Sequence, residues 1–183
     1  MAGDPTKAGL WGGADVYIAP VGTAFPTDLA TAWAVDWEPV GILDGEEGFT
    51  WARDMEESEF YGWGGILIRK TRSKHKRTVT FVALEDNDVV YELANPGSTR
   101  TVSEGVTTSL VKVPENREFA IGFELRDGTK RTRRFVKRAT ADVDGEVKES
   151  ETELTAYTFL VTLYPEADAT LYTELAGLFT PTA

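Results

Sequence analysis

The stretch TVTFVALEDNDVVYEL, residues 78–93, carries the clearest structural signal in the sequence. Its first half is rich in β-branched and aromatic residues, which favours a strand over residues 77–84. Acidic side chains come next, and these are favourable beside the positive end of a helix dipole. An apolar stripe at helical spacing then follows at Val89, Val90 and Leu93. We therefore predict a strand that leads into a helix over residues 85–94, which is so short that it should pack against a sheet.

The remainder of the chain consists mostly of short β-branched and aromatic runs that are separated by glycine. Such runs predict further strands, over residues 16–20, 37–43, 47–53, 66–71, 106–113, 118–126, 130–141 and 147–163. The dipeptides Asp127-Gly128 and Asp144-Gly145 predict tight hairpin turns between the last of these strands. A helical spacing of Leu171, Leu175 and Leu178 indicates a second helix over residues 166–179. The expected fold class is mainly β and antiparallel, with one flanking helix.

Length and composition exclude several classes of protein. A chain of 183 residues can bury one substantial core, so we expect a single domain. No apolar stretch approaches the roughly 20 residues needed to cross a bilayer. The chain has no cysteine and one histidine, which removes thiolate metal sites, thiol nucleophiles and most histidine-based catalysis. We therefore expect no enzyme activity, no cofactor and no metal site.

The segment of residues 54–77 differs from the other strand-like runs. It passes from an acidic part, through glycines and aromatic residues, to a strongly basic part. We predict a long extended loop or hairpin, and exposed aromatic rings there would need a second chain to cover them. The predicted subunit contacts are Phe60, Tyr61, Trp63, Arg69, Lys70, Arg72 and Lys74. The basic residues would pair with an acidic cluster of a neighbouring subunit. A local hairpin whose aromatic rings fold back on its own sheet is an equal alternative.

Other functional readings have less support. Adjacent carboxylates such as Glu46 and Glu47 could serve a glycosidase, but thirty acidic residues make some adjacency inevitable. The DVDGE run, residues 142–146, lacks the full spacing of a calcium loop and is better explained by a turn. His75 lies between two lysines, which disfavours a metal ligand or a pH switch. Five tryptophans within the first 63 residues leave a carbohydrate-binding β-sandwich as the main alternative function.

A family resemblance emerges from the order of several motifs. VYIA at residues 16–19, WEPVGIL at 37–43 and FTW at 49–51 precede the charged segment and the strand-to-helix passage. This order resembles the major tail protein, or tail tube subunit, of long-tailed phages, particularly those of actinobacteria. The resemblance covers roughly residues 15–165, and its most specific piece is residues 78–93.

The resemblance implies a β-sandwich or barrel-like subunit that forms six-membered rings stacked into a hollow tube, through which DNA reaches the host. It implies one tail tube domain over residues 1–183, with an N-terminal arm over 1–14, a C-terminal arm over 166–183 and no C-terminal immunoglobulin-like domain. Further implied partners are a tape measure protein and the terminator and tip proteins of the tail. Assembly would take place in the host cytoplasm, and the mature location would be the virion.

Charge adds an expectation about the lumen of such a tube. Each chain carries a net charge of −11, so an acidic lumen would repel passing DNA and prevent it from sticking to the wall. Alternate residues of a strand share one face, which on the predicted strand 147–163 groups Glu149, Glu151 and Glu153. We expect these three side chains to face the lumen. An outer surface with an ion pair between Arg138 and Glu151 is the alternative.

Overall fold

The computed structural model describes residues 8–179, which form one helix and ten strands. The strands before the helix are β1 (Gly13–Ala19), β2 (Glu38–Pro39), β3 (Thr50–Tyr61) and β4 (Leu67–Ala83). The helix is α1 (Asp88–Ala94). The later strands are β5 (Thr99–Ser103), β6 (Val106–Leu110), β7 (Phe119–Asp127), β8 (Lys130–Val143), β9 (Tyr157–Leu163) and β10 (Thr173–Leu178). The fold is therefore mainly β, as predicted, and every strand pair is antiparallel.

The main sheet curls into a barrel-like sandwich. Its strand order is β2-β1-β7-β8-β9-β4-β3, and β10 adds a further pair to β8. The short segment 38–44 connects the two ends of this order, because Val40 N donates to Val16 O at 2.9 Å and Asp44 N donates to Val82 O at 3.0 Å. A bridge between Leu43 and Ala83 completes the closure beside β4. Closure of this kind removes exposed edges from the strands that it joins.

The core lies inside this curled sheet. Alternate residues of β9 are buried, and the largest fully buried side chains include Phe81 on β4, Phe123 on β7 and Phe159 on β9. The ring centroids of Phe81 and Phe159 are 5.4 Å apart, and those of Phe81 and Phe123 are 6.4 Å apart. Complete burial of such a side chain contributes roughly 1.5–3 kcal/mol to stability. Contacts between phenylalanines of β4, β7 and β9 thus join strands on different sides of the core.

The helix forms where it was predicted but starts later. Asn87 is the N-cap, because its side chain accepts a hydrogen bond from Val90 N at 3.0 Å. Glu85 lies before the cap and instead accepts from Ile42 N at 3.0 Å, which anchors the closing segment. Val90 and Leu93 are buried against the sheet, as their spacing predicted. No helix within residues 8–179 is long and apolar enough to cross a membrane.

Two of the predicted elements are wrong at the C-terminal end. Residues 173–178 form β10 rather than part of a helix, and they pair with the edge of β8 from Lys130 to Phe135. Pairing there satisfies backbone groups that a helix would leave open on β8. The predicted strand 147–163 begins only at Tyr157, because Val143 pairs with Phe159 and leaves residues 144–156 as a connection. The Asp144-Gly145 turn therefore does not close a tight hairpin.

Other boundaries differ less. The predicted strands 66–71 and 77–84 are one continuous strand, β4, and the segment 54–77 is a long β-hairpin rather than a loop. The turn at Asp127-Gly128 is confirmed, since Asp127 pairs with Lys130. The strand β5 was not predicted, and it pairs only with β6 in a separate two-stranded sheet. Part of each predicted terminal arm, residues 1–7 and 180–183, lies outside the described residues.

Candidate subunit interface

A free-standing β-hairpin extends from the main sheet. The pairing of β4 with β9 ends at Arg77 and Leu163, yet β4 begins ten residues earlier, at Leu67. At about 3.3 Å per residue, this extension is roughly 33 Å long. Over that length β3 is the strand that pairs with it, up to the pair of Tyr61 and Leu67. Residues 54–77 are called the β3–β4 arm below.

Opposite charges face each other within the β3–β4 arm. Glu57 is aligned with Arg72, whose Nε donates to Glu57 Oε1 at 2.9 Å, and it also pairs with Lys70. The Nζ atom of Lys74 lies 2.8 Å from Glu56 Oε1. The hydrogen bond from Lys70 lowers the pKa of Glu57 below its ordinary value. Lys70, Arg72 and Lys74 therefore have acidic partners in their own chain. Their contact with a neighbouring subunit stays a prediction.

The tip of the β3–β4 arm is apolar and exposed. The exposed fraction is 55% for Phe60 and 58% for Tyr61, and Trp63 is completely exposed. These rings do not fold back on the sheet, so the alternative of a self-covering hairpin is wrong. Ile66, Leu67 and Ile68 extend the same exposed surface. The sequence analysis missed these three residues, although the apolar run ILI after Gly64-Gly65 was a signal for them.

The three predicted lumen residues lie in the β8–β9 connection. Glu149, Glu151 and Glu153 are exposed and belong to no strand, so the argument that they share a strand face is wrong. Lys148 Nζ lies 2.7 Å from Glu153 Oε2 and neutralises one of the carboxylates. Arg138 pairs with Glu118, at 2.9 Å between Nη2 and Oε1, instead of with Glu151. The position of these carboxylates on a lumen wall stays a prediction.

A buried ionic cluster, which the sequence analysis did not anticipate, fastens the loop of residues 20–37 to the outer face of the barrel. Glu124 on β7 accepts from Arg133 Nε at 2.7 Å and from Trp33 Nε1 at 2.9 Å. Arg133 Nη1 also donates to the carbonyl oxygens of Asp28 and Thr31, at 2.9 and 2.7 Å. Glu124 and Arg133 are both almost completely buried.

The environment of Glu124 favours its charged form. Burial alone raises the pKa of this carboxyl, but the hydrogen bond from Trp33 and the positive charge of Arg133 outweigh it, so the net pKa is lowered. Arg126 also donates to Glu124, at 3.0 Å, and pairs with Asp15. Both carboxylate oxygens of Glu124 have partners and the side chain is buried, so we assign it a structural role.

The tryptophans do not form a sugar-binding platform. Trp37 is buried, and the rings of Trp33 and Trp37 pack together with centroids 5.0 Å apart. Trp51 packs against Phe123 at 5.3 Å, and Trp11 lies beneath Lys130. Trp63 stands apart from these packed rings at the arm tip. Within residues 8–179, no group of three or more His, Cys, Asp or Glu side chains is placed to hold a metal ion.

The comparisons with known proteins identify the family. A family model described as phage tail tube protein matches residues 1–176. A comparison with curated protein sequences returned no match. The matched range includes the barrel, α1, the β3–β4 arm and most of β10. It also agrees with the mainly β, antiparallel fold that the structure shows. The chain therefore belongs to the family of phage tail tube proteins, which are structural components of the virion.

Proposed function

We propose that this protein forms hexameric rings that stack into the hollow tube of a phage tail, through which DNA passes to the host without specific binding. The family match over residues 1–176 is the observation that carries this proposal. A net charge of −11 per chain supports it, because an acidic tube repels DNA phosphates and lets them slide. In this role the protein is not an enzyme and needs no cofactor.

The β3–β4 arm is the proposed contact between subunits. Its tip presents Phe60, Tyr61 and Trp63, and its flank presents Arg69, Lys70, Arg72 and Lys74. A contiguous apolar surface of this kind on a soluble subunit is typical of an interaction site. The ion pairs along the arm are exposed, so they align its two strands more than they stabilise the fold. Glu149, Glu151 and Glu153 are the proposed lumen residues.

The remaining parts of the proposal follow from the role in the tail. The chain acts as one tail tube domain with terminal arms at residues 1–14 and 166–183, although residues 173–178 of the second arm pair with β8 of their own chain. The assembled tube would contact a tape measure protein and the terminator and tip proteins. Assembly would occur in the host cytoplasm before the tail joins the virion.

Negative-stain electron microscopy of the purified protein tests this function. We expect hollow tubes or rings whose class averages have sixfold symmetry. A protein that stays monomeric at all concentrations, or rings with another symmetry, would contradict the proposal. Sedimentation of the same samples gives the mass of the smallest ring and checks the subunit number independently.

A further inference from the structure

An apolar pocket lies beside α1, far from the β3–β4 arm. Ile18, Ala19, Val89, Leu93 and Phe119 provide most of its apolar wall. Its volume is about 120 Å³, which is somewhat below the roughly 150 Å³ of an apolar cavity that accepts a benzene ring. The pocket is therefore large enough for one edge of an aromatic side chain but not for a whole indole ring.

The rim of this pocket is acidic. The charged residues around it are Asp36, Glu38, Glu92, Arg117 and Glu118. Arg117 pairs with Glu92, and Glu118 pairs with Arg138. Asp36 and Glu38 take part in none of the ion pairs found between the described residues. An incoming group with a positive charge would therefore be attracted to the rim.

The β3–β4 arm has the complementary properties. It carries six Lys or Arg residues against four Asp or Glu residues, a net charge of +2. Arg69, next to the apolar tip, is exposed and belongs to no ion pair among the residues that the structure describes. Trp63 at the tip is completely exposed. The arm thus presents an aromatic side chain together with basic groups.

The register of the strands places the pocket and the tip at opposite ends of the subunit. Ala141 in the pocket wall pairs with Val161, and Val161 pairs with Val79 on β4. Leu67 precedes Val79 by twelve residues along β4, which corresponds to about 40 Å in an extended strand. The tip of a chain therefore cannot reach the pocket of the same chain.

We propose that one edge of the Trp63 ring of one copy inserts into the pocket beside α1 of a second copy. This inference rests on the proposed function and identifies the receptor for the arm. A contact between opposite ends of identical subunits is heterologous, so it produces either a closed ring or an open stack. A stack of rings uses the open form. The acidic rim attracts the basic arm and sets its direction, while partial burial of the indole ring supplies the affinity.

Cysteine crosslinking tests the contact, because the natural chain has no cysteine. Ile66→Cys marks the tip, and Asp36→Cys marks the rim without breaking an ion pair seen in the structure. A mixture of the two single variants is assembled and treated with a short bis-maleimide. We expect covalent dimers in the mixture. The matched control is a mixture of Ile66→Cys with Asp127→Cys, whose cysteine lies on the β7–β8 turn. This mixture should give no covalent dimers.

The outcomes separate the inference from the proposed function. Tubes that form without dimers would overturn the pocket contact and leave the tube function standing. If the wild-type chain forms no tubes, the proposed function itself fails. Hydrogen exchange on the wild-type chain needs no variant: assembly should protect the amides of residues 18–19 and 89–93. Unprotected amides there in assembled tubes would also overturn the inference.

Truncation of the Trp63 side chain measures how much it contributes to tube assembly. Trp63→Ala should raise the concentration needed for tube formation by about tenfold or more, as loss of a buried aromatic anchor does at other interfaces. Trp63→Phe should have a smaller effect. Val102→Ala on β5 is the control, because Val102 is also exposed and lies outside both the arm and the pocket lining. Equal effects of Trp63→Ala and Val102→Ala would contradict insertion of Trp63. Protection of the pocket without crosslinks from the tip would show that another group occupies the pocket, which would also overturn the inference.

Discussion

Glu124 and Arg133 form an ion pair inside the protein, with 2.7 Å between Oε2 and Nε and both side chains almost fully buried. The pair lies between the barrel and the loop of residues 20–37, because Arg133 also holds the carbonyl groups of Asp28 and Thr31. Glu124 in turn accepts a hydrogen bond from Trp33 of that loop. A single ion pair thus connects a strand pair to a loop about 100 residues away in sequence.

Glu124→Gln should destabilise the fold substantially. The substitution leaves Arg133 buried without its anionic partner, and removal of one member of a buried pair costs about 3–5 kcal/mol. Chemical denaturation of the unassembled protein measures the free energy of unfolding. Glu46→Gln, at an exposed site, is the control and should change stability by less than about 0.5 kcal/mol. Similar values for the two variants would show that the buried pair contributes little.

The same carboxyl should make stability depend on pH in the acidic range. The folded-state pKa of Glu124 is lowered relative to the unfolded chain, where a glutamate titrates near about 4.3. Its contribution is therefore complete above that pH and is lost as the pH falls through the folded-state pKa. We expect the stability difference between wild type and Glu124→Gln to shrink below about pH 4. A difference that stays constant down to pH 2 would contradict this assignment.

Gly122→Ala should displace Trp33. A Cβ atom on Gly122 would lie 2.2 Å from Cη2 of the Trp33 ring, which is far closer than any real contact. Overpacking of this kind costs about 1–3 kcal/mol, and the hydrogen bond from Trp33 to Glu124 should be lost with it. Gly45→Ala is the control, since nothing lies within 4 Å of that site. Denaturation and tryptophan fluorescence report the two effects, and an unchanged Gly122→Ala protein would contradict the packing.

Deletion of residues 58–74 should abolish tube formation but leave the subunit folded. The deleted residues lie in the β3–β4 arm, outside the core, and their loss removes both the apolar tip and most of the basic flank. Circular dichroism and thermal unfolding check the fold, while electron microscopy checks for tubes. Normal polymerisation of the deletion variant would count decisively against the arm as a subunit contact.

A cysteine at position 151 tests the lumen prediction. Glu151→Cys should react with a small maleimide in both free subunits and intact tubes, but with a bulky maleimide in free subunits alone. This pattern distinguishes a lumen from a buried interface, which excludes both reagents. Equal labelling by the bulky reagent would place residue 151 outside, and the lumen charge would then come from another part of the chain, most plausibly residues 44–59.

Local patterns were sufficient for the elements whose signals lie close together in sequence. The passage from β4 into α1 follows from alternating apolar residues, an acidic turn and an apolar stripe within sixteen residues. The turn at Asp127-Gly128 and the unusual length of the β3–β4 arm could be predicted for the same reason. The prediction of a second helix was wrong, because three leucines at helical spacing cannot reveal that the edge of β8 is open to pairing.

The amino-acid sequence by itself thus determined the mainly β composition, the helix that follows β4 and the candidate surface at Phe60, Tyr61 and Trp63. Only the tertiary structure decided that Lys70, Arg72 and Lys74 of the β3–β4 arm pair with its acidic strand, and that Glu124 meets Arg133 and Trp33. It also decided that the pocket beside α1 lies at the opposite end of the subunit from the arm tip. The physical reason is that backbone propensity and periodicity act over a few residues, whereas strand register and side-chain contacts join residues that are distant along the chain.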